Sequence, residues 1–181
     1  MRFSQSPTAE GIILKRKSAG EADRILTIYT RQFGKLRVIA KGIRKIHSKR
    51  APHLEVFRRV RFSSTKATPI NYLTEVESIG DSQYSLTNLR SVTGAYYICE
   101  LVDAFMPEKM ENEEVYELLL RAIVALQSEK QEIVIREFPR LLLVLLGYYP
   151  KEEVPTEKVD MIIEGLIEKR LKTPKLFSQM V

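Results

Sequence analysis

The spacing of the apolar residues changes near residue 80, and this change most constrains what the chain can fold into. Before it, five short segments rich in β-branched and aromatic residues are separated by turn residues, as strands are. These segments are Glu10–Lys17, Arg24–Thr30, Leu36–Lys41, Leu54–Phe62 and Tyr72–Ser78. After residue 80 the apolar residues recur every three or four positions, which is typical of amphipathic helices. The pattern predicts an α+β protein with one domain over residues 1–80 and a helical domain over residues 81–181.

Five short strands joined by turns predict a small closed barrel in the first domain. The OB-fold is the five-stranded barrel most used for binding nucleic acid, so we expect that fold here. Alternation along the third segment assigns one face to apolar residues and the other to Arg37, Ile39 and Lys41. The same rule along the fourth segment assigns one face to Phe57, Arg59 and Arg61.

Four helices are predicted after the boundary. The first ends at Pro107, the second begins after the capping residue Asn112, and the third and fourth cover about residues 132–146 and 156–171. Pro139 lies inside the third, which predicts either a kink or a second start, because proline removes a backbone donor and clashes with the preceding turn. Cys99 lies on the apolar stripe of the first helix, which predicts a buried and unreactive thiol.

Charge is distributed unevenly between the two predicted domains. Residues 1–80 carry 17 Lys and Arg against 6 Asp and Glu, a net +11, whereas residues 81–181 carry 12 against 17, a net −5. Ten basic residues and one acid, Glu55, lie between Lys35 and Arg61. A polyanion would relieve the mutual repulsion of these cations and release its own counterions. The first domain is therefore predicted to bind nucleic acid.

The residues predicted to contact DNA are the basic residues of this stretch and one aromatic ring. They are Lys35, Arg37, Lys41, Arg44, Lys45, Lys49, Arg50, Phe57, Arg59 and Arg61. Phe57 with Arg59 and Arg61 on one strand face would stack on bases and hold phosphates. The alternative is that Phe57 belongs to the core, because a shift of one residue in a strand exchanges its two faces.

Few residues support catalysis or metal binding. Glu21 and Asp23 are neighbouring carboxylates, but at the start of a strand such residues more often shape a turn. His47 and His53 lack the clustered cysteines or carboxylates of a metal site. Gly34-Lys35 lacks the upstream glycine and the following hydroxyl residue of a phosphate loop. We expect no catalytic activity, no cofactor and no metal.

Composition excludes further classes. A single cysteine cannot form an internal disulfide or a four-cysteine zinc site. The longest apolar run, Leu141–Leu146, is far shorter than the roughly 20 residues of a membrane span. The first residues lack the apolar stretch of a signal peptide. A cytoplasmic location is expected.

Several runs of residues resemble the bacterial recombination mediator family RecO. The most specific are Gly20-Glu21-Ala22-Asp23-Arg24-Ile25-Leu26-Thr27, Phe33-Gly34-Lys35 and Ala40-Lys41-Gly42-Ile43-Arg44-Lys45. The strand Leu73–Glu77, the helix around Tyr96–Leu101, the stretch Phe138–Tyr148 and the segment Leu171–Phe177 are similar more loosely. Many relatives carry a four-cysteine zinc module after the helix that ends here near Gly147, and this chain resembles a shortened version without it.

The resemblance implies an OB-fold followed by a helical domain, and binding of single- and double-stranded DNA in the nucleoid. It implies annealing of complementary strands and, with RecR, loading of RecA onto strands coated by single-strand-binding protein. Relatives also hold the acidic, apolar tail of that protein through the helical domain, which needs an apolar pocket beside a cation. Arg136 or Arg140 is the candidate for that cation.

Three other functions compete with the mediator hypothesis. An OB-fold protein that binds RNA would explain the charge but not the family-like runs. A nuclease would use Glu21 and Asp23 with a metal ion. A protein scaffold would act through the acidic helical half and bind no DNA.

Overall fold

In the computed structural model five strands between Thr8 and Ser78 form a closed barrel, as predicted. The structure describes residues 8–45, 48–65, 70–80, 86, 88–128, 130–153 and 157–173. The strands are β1 (Thr8–Ala19), β2 (Asp23–Thr30), β3 (Gly34–Ala40), β4 (Arg59–Thr65) and β5 (Asn71–Ser78). Their order around the barrel is β1-β2-β3-β5-β4. β3 and β5 run parallel and the other pairs are antiparallel.

A bulge in β1 allows this strand to pair with both β2 and β4 and so to close the barrel. The register of β1 against β2 shifts between Ile13 and Lys15, and a bulge bends and twists the strand that carries it. Residues 8–12 of β1 pair with β4, and residues 11–19 of β1 pair with β2. The interior is filled by alternate residues of all five strands, among them Leu26, Ile28, Val38 and Phe62. The predicted alternation in β3 is confirmed, since Val38 and Ala40 are buried and Arg37 is exposed.

The predicted fourth strand is wrong at its start. A short 3₁₀ turn covers Ala51–Leu54, and β4 begins only at Arg59. Phe57 lies between them with φ at +69°, a left-handed conformation that is rare for a bulky residue and does not fit a regular strand. Its backbone N–H donates to the carbonyl of Ile13 at 2.8 Å, and its side chain is 7% exposed. The ring is buried, so the interpretation in which Phe57 stacks on DNA bases is wrong.

Residues from beyond the barrel complete its compact unit. The chain divides into one unit of Met1–Gln83 with Pro107–Asn112 and another of Tyr84–Met106 with Glu113–Val181. We call Pro107–Asn112 the strap. The N–H of Lys109 donates to the carbonyl of Lys35 at 2.9 Å, and the Tyr29 hydroxyl donates to the carbonyl of Asn112 at 3.3 Å. Burial raises the pKa of Tyr29 to about 12.

The second unit contains four helices in the described part of the chain. They are α1 (Leu89–Phe105), α2 (Glu113–Ala125), α3 (Gln131–Leu145) and α4 (Val159–Ile167). The Asn88 side chain caps α1 by accepting a hydrogen bond from the N–H of Ser91 at 2.8 Å. α3 continues through the buried Pro139 as one helix, so no second start occurs there. α4 is shorter than predicted and ends at Ile167, where the next residue, Glu168, takes a left-handed φ of +52°.

Cys99 is buried on α1, as predicted. Burial and the nearby Asp103 raise the pKa of its thiol, so the nucleophilic thiolate is disfavoured. Among the described helices, none has the length and apolar character that crossing a membrane requires.

Candidate nucleic-acid interface

Strand pairing assembles a basic surface on the outside of β1, β2, β3 and β5. Residues directly opposite each other on neighbouring strands point to the same side of a sheet. One such row is Lys17, Ile25, Ile39 and Tyr72, and the next is Lys15, Thr27 and Arg37. With Lys41 at the end of β3, these residues form what we call the outer platform: Lys15, Lys17, Ile25, Thr27, Arg37, Ile39, Lys41 and Tyr72.

Four cations frame an apolar and aromatic centre on the outer platform. Lys15, Lys17, Arg37 and Lys41 are all exposed, while Ile25, Ile39 and Tyr72 are half-buried. The Lys41 ammonium lies 4.4 Å from the centroid of the Tyr72 ring, within cation–π range. Glu108 of the strap pairs with Arg37 at 3.0 Å. Cations around a partly exposed ring are what a single strand needs for phosphate contacts and base stacking.

The turns at one end of the barrel extend this basic surface. Arg44, Lys45 and Lys49 are exposed there, and Arg44 Nη1 donates to the carbonyl of Gly20 at 3.3 Å. Asp23 holds the same turn, since its Oδ1 accepts a hydrogen bond from the N–H of Gly42 at 2.8 Å. That hydrogen bond is the turn-shaping role expected of Asp23, and it gives a nuclease interpretation no support.

Three of the predicted arginines are engaged in the barrel itself. Arg50 donates to the carbonyls of Lys41 at 2.8 Å, Leu73 at 3.4 Å and Thr74 at 3.5 Å, so it ties the β3–β4 connection to β5. On β4, Arg59 Nε donates to Glu10 at 2.7 Å and Arg61 pairs with Glu77 at 3.0 Å. Carboxylates therefore neutralise the outer face of β4, whereas the outer platform keeps an excess of cations.

Lys35, also predicted to contact DNA, is less exposed than the cations of the outer platform. It is half-buried at the start of β3, and its backbone carries the bridge to the strap at Glu108. His53 has a structural role, because its Nδ1 lies 3.2 Å from the N–H and 3.0 Å from the hydroxyl of Ser78. His47 lies outside the described residues. Within the described ranges, no three metal-ligating side chains come together.

Arg136 and Arg140 share one carboxylate in the helical unit. Arg136 Nε and Arg140 Nη1 each donate to Glu137 at 2.8 Å. The hydrogen bond from Arg136, together with the charge of both arginines, lowers the pKa of Glu137. Glu137 also borders an apolar groove of about 850 Å³ between α2 and α3, whose lining includes Leu118, Phe138 and Leu141. An apolar pocket and cations thus lie close together, with Glu137 between them.

Sequence reasoning missed two cations and the ring of the outer platform. Lys15 and Lys17 lie at the charged end of the first segment, and only the register with β2 brings them beside Arg37. Tyr72 joins them through the parallel pairing of β5 with β3. Lys15 and Lys17 alternate with Arg16, which was the available signal for a strand with one basic face.

Two family models match successive parts of the chain. The model described as recombination protein O N terminal matches residues 1–81, and the one described as recombination protein O C terminal matches residues 86–154.

Curated relatives named DNA repair protein RecO match most of the chain. The protein from Roseiflexus sp. is 35% identical over 143 residues, which are 78% of this chain and 50% of the relative. The protein from Pelotomaculum thermopropionicum is 31% identical over 142 residues, 78% of this chain and 56% of the relative. The chain thus spans about half the length of these relatives. Together with the barrel, the helical unit and the two matched models, this similarity shows that the chain belongs to the RecO family.

Proposed function

We propose that this chain acts in DNA repair as a non-catalytic mediator that binds single- and double-stranded DNA through the outer platform. The observation that carries the proposal is the excess of exposed cations around Ile39 and Tyr72. Strands 2 and 3 of an OB-fold form its usual ligand face, and the outer platform lies on that face. The names of the matched relatives support the assignment to DNA repair.

Annealing follows from the same electrostatics. Two complementary strands repel each other through their phosphates, and a surface that neutralises phosphates on both lowers that repulsion. The platform cations and the exposed Arg44, Lys45 and Lys49 give the barrel enough positive charge to engage more than one strand. Phosphate contacts carry no base information, so we expect no sequence preference from them.

The mediator role includes protein partners. We propose that the chain works with RecR to load RecA onto strands coated by single-strand-binding protein, and that it is found with the nucleoid. The acidic tail of single-strand-binding protein would bind at the helical unit, where its terminal carboxylate would compete with Glu137 for Arg136 or Arg140. The neighbouring α2–α3 groove would take the apolar residues of the tail.

The DNA part of the proposal is tested by fluorescence anisotropy of a labelled single-stranded oligonucleotide across a salt series. The variant Lys15→Glu/Lys17→Glu changes the outer platform. The matched control Lys169→Glu/Arg170→Glu changes the net charge equally on exposed residues of the helical unit. We expect the platform variant to weaken binding and to reduce the salt slope by about 0.7 for each phosphate that the protein no longer neutralises. The control should bind like the unmodified chain.

Equal weakening in both variants would mean that only net charge matters and would contradict a site on the platform. No salt-dependent binding by the unmodified chain would overturn the DNA part of the proposal altogether. The tail part is tested separately with a tail peptide. Binding that is unchanged in Arg136→Ala and in Arg140→Ala would reject both arginines as the anchor.

A further inference from the structure

A second concave site lies at the end of the barrel where β2 turns into β3. It is a cavity of about 630 Å³, within the ordinary size range of ligand pockets. Its lining includes the ring of Phe33, the polar side chains Gln32, Ser64 and Asn71, and Lys109 and Glu111 of the strap. None of the DNA-binding residues predicted from the sequence lines this cavity.

The aromatic ring at this cavity is held on a rigid turn. Phe33 is 42% exposed, in contrast to the buried Phe57. The hydroxyl of Thr30 accepts from the N–H of Phe33 at 3.0 Å and donates to the carbonyl of Gly34 at 2.8 Å. These bonds fix the backbone on both sides of the ring. A ring that is exposed and held in place offers a stacking surface at low entropic cost.

The polar groups of the cavity suit the edge of a nucleobase. The Oε1 of Gln32 accepts a hydrogen bond from the N–H of Glu10 at 3.0 Å, which orients the side-chain amide. The amino group of the same amide takes no part in this hydrogen bond. Ser64 and Asn71 supply a hydroxyl and a second amide, and the Glu111 carboxylate can accept from an exocyclic amino group. Lys109 supplies a positive charge for a phosphate. Donors, acceptors, a ring and a cation are thus combined in one cavity.

We propose that this cavity binds one unstacked nucleobase of a single DNA strand, with the base stacked on Phe33 and a neighbouring phosphate near Lys109. The inference rests on the proposed function and adds to it a subsite that distinguishes single-stranded from duplex DNA. A base in a duplex is stacked and paired, so it cannot enter the cavity without being unpaired.

The outer platform leads directly to this cavity. Outward side chains run from Lys41, which directly follows β3, through Arg37 to Lys35, six residue steps or about 20 Å at about 3.3 Å per residue. Phe33 lies two residues before Lys35, and the strap residue Lys109 is bonded to the carbonyl of Lys35. A single DNA strand that follows Lys41, Arg37 and Lys35 therefore reaches the cavity at the end of its path.

The test compares single-stranded and duplex oligonucleotides of equal length, by anisotropy, against the full chain and the variant Phe33→Ala. We expect the variant to lose about 5- to 150-fold in affinity for the single strand, the measured range for one stacked base. Affinity for the duplex should be unchanged. Phe33→Tyr should retain single-strand affinity, and Tyr96→Ala, which removes an exposed ring of the helical unit, should have no effect.

Each other outcome is decisive. If Phe33→Ala binds both DNA forms as the unmodified chain does, the base site is rejected and DNA binding by the platform stands. If it loses both forms equally, Phe33 has no base-specific role and the inference is likewise overturned. If the unmodified chain binds neither form, the proposed function itself fails. Circular dichroism of each variant checks that the substitution has not unfolded the protein.

Discussion

Replacing Gly34 by alanine tests how the strap is held against the barrel. Gly34 begins β3 with φ at +63°, a conformation that costs an L-residue about 1–2 kcal/mol. A Cβ at this position would lie 2.1 Å from the carbonyl oxygen and 2.3 Å from the carbonyl carbon of Met110. Both atoms are backbone, so the clash can be relieved only by moving the strap away from β3.

The control variant isolates the clash from the strained backbone. Gly20 has φ at +62° and no heavy atom within 4 Å of a built Cβ. Gly20→Ala therefore carries the strain and the change in unfolded-chain entropy, and Gly34→Ala carries both of these and the clash. Overpacking typically costs about 1–3 kcal/mol, so Gly34→Ala should lower the free energy of unfolding by that much more than Gly20→Ala.

The assay is hydrogen exchange of the full chain, followed at the amide of Lys109, whose N–H donates to Lys35. A difference of about 1–3 kcal/mol corresponds to roughly 5- to 150-fold faster exchange in Gly34→Ala than in Gly20→Ala. Urea denaturation of the same variants provides the global value. Equal exchange at Lys109 in the two variants would refute the conclusion that the strap is pressed against β3 at Gly34.

Three further predictions concern single side chains. Arg50→Ala should lower the free energy of unfolding by about 1.5 kcal/mol in urea denaturation, because three backbone carbonyls lose a charged donor. Arg44→Ala should leave stability unchanged and weaken DNA binding. The reverse pattern would contradict the assignment of Arg50 to the barrel and of Arg44 to the DNA-binding surface. Cys99 should resist a thiol reagent at neutral pH until urea opens the helical unit, because burial raises its pKa; labelling at the rate of a free thiol would refute this. Because the pKa of Glu137 is lowered in the folded chain, its ion pairs contribute stability above the ordinary pKa of 4.5, and this contribution is lost as the pH falls below 4.5. The difference in free energy of unfolding between the unmodified chain and Glu137→Gln should therefore shrink on acidification. A constant difference would show that the ion pairs contribute nothing.

Local periodicity was enough to identify most of the elements. The alternation of Leu36–Lys41 correctly assigned the inner and outer faces of β3, because side chains of an extended strand alternate whatever it pairs with. Asn112 and Pro107 correctly marked the start of the second helix and the end of the first, since capping and the missing donor of proline act within a few residues.

The same local rules failed where a distant segment decides the conformation. Phe57 alternates with Arg59 in the sequence, but its N–H bonds to Ile13, more than forty residues away, and the ring enters the core. Pro139 disfavours a helix locally, yet α3 continues through it as a buried part of the helical unit. In both cases the local preference, about 1 kcal/mol for a strand residue and about 3 kcal/mol for a proline in a helix, does not decide the conformation.

Hydrophobic period and charge are properties of neighbouring residues, so the sequence alone predicts a basic five-stranded domain before an acidic helical one. Which cations form a surface depends instead on how the strands pair in the folded barrel. Strand register brings Lys15 and Lys17 beside Arg37, while carbonyls and carboxylates from other strands engage Arg50 and Arg59. Which charges remain available to a ligand depends on partners far apart in the chain, and those partners are set only when the barrel closes.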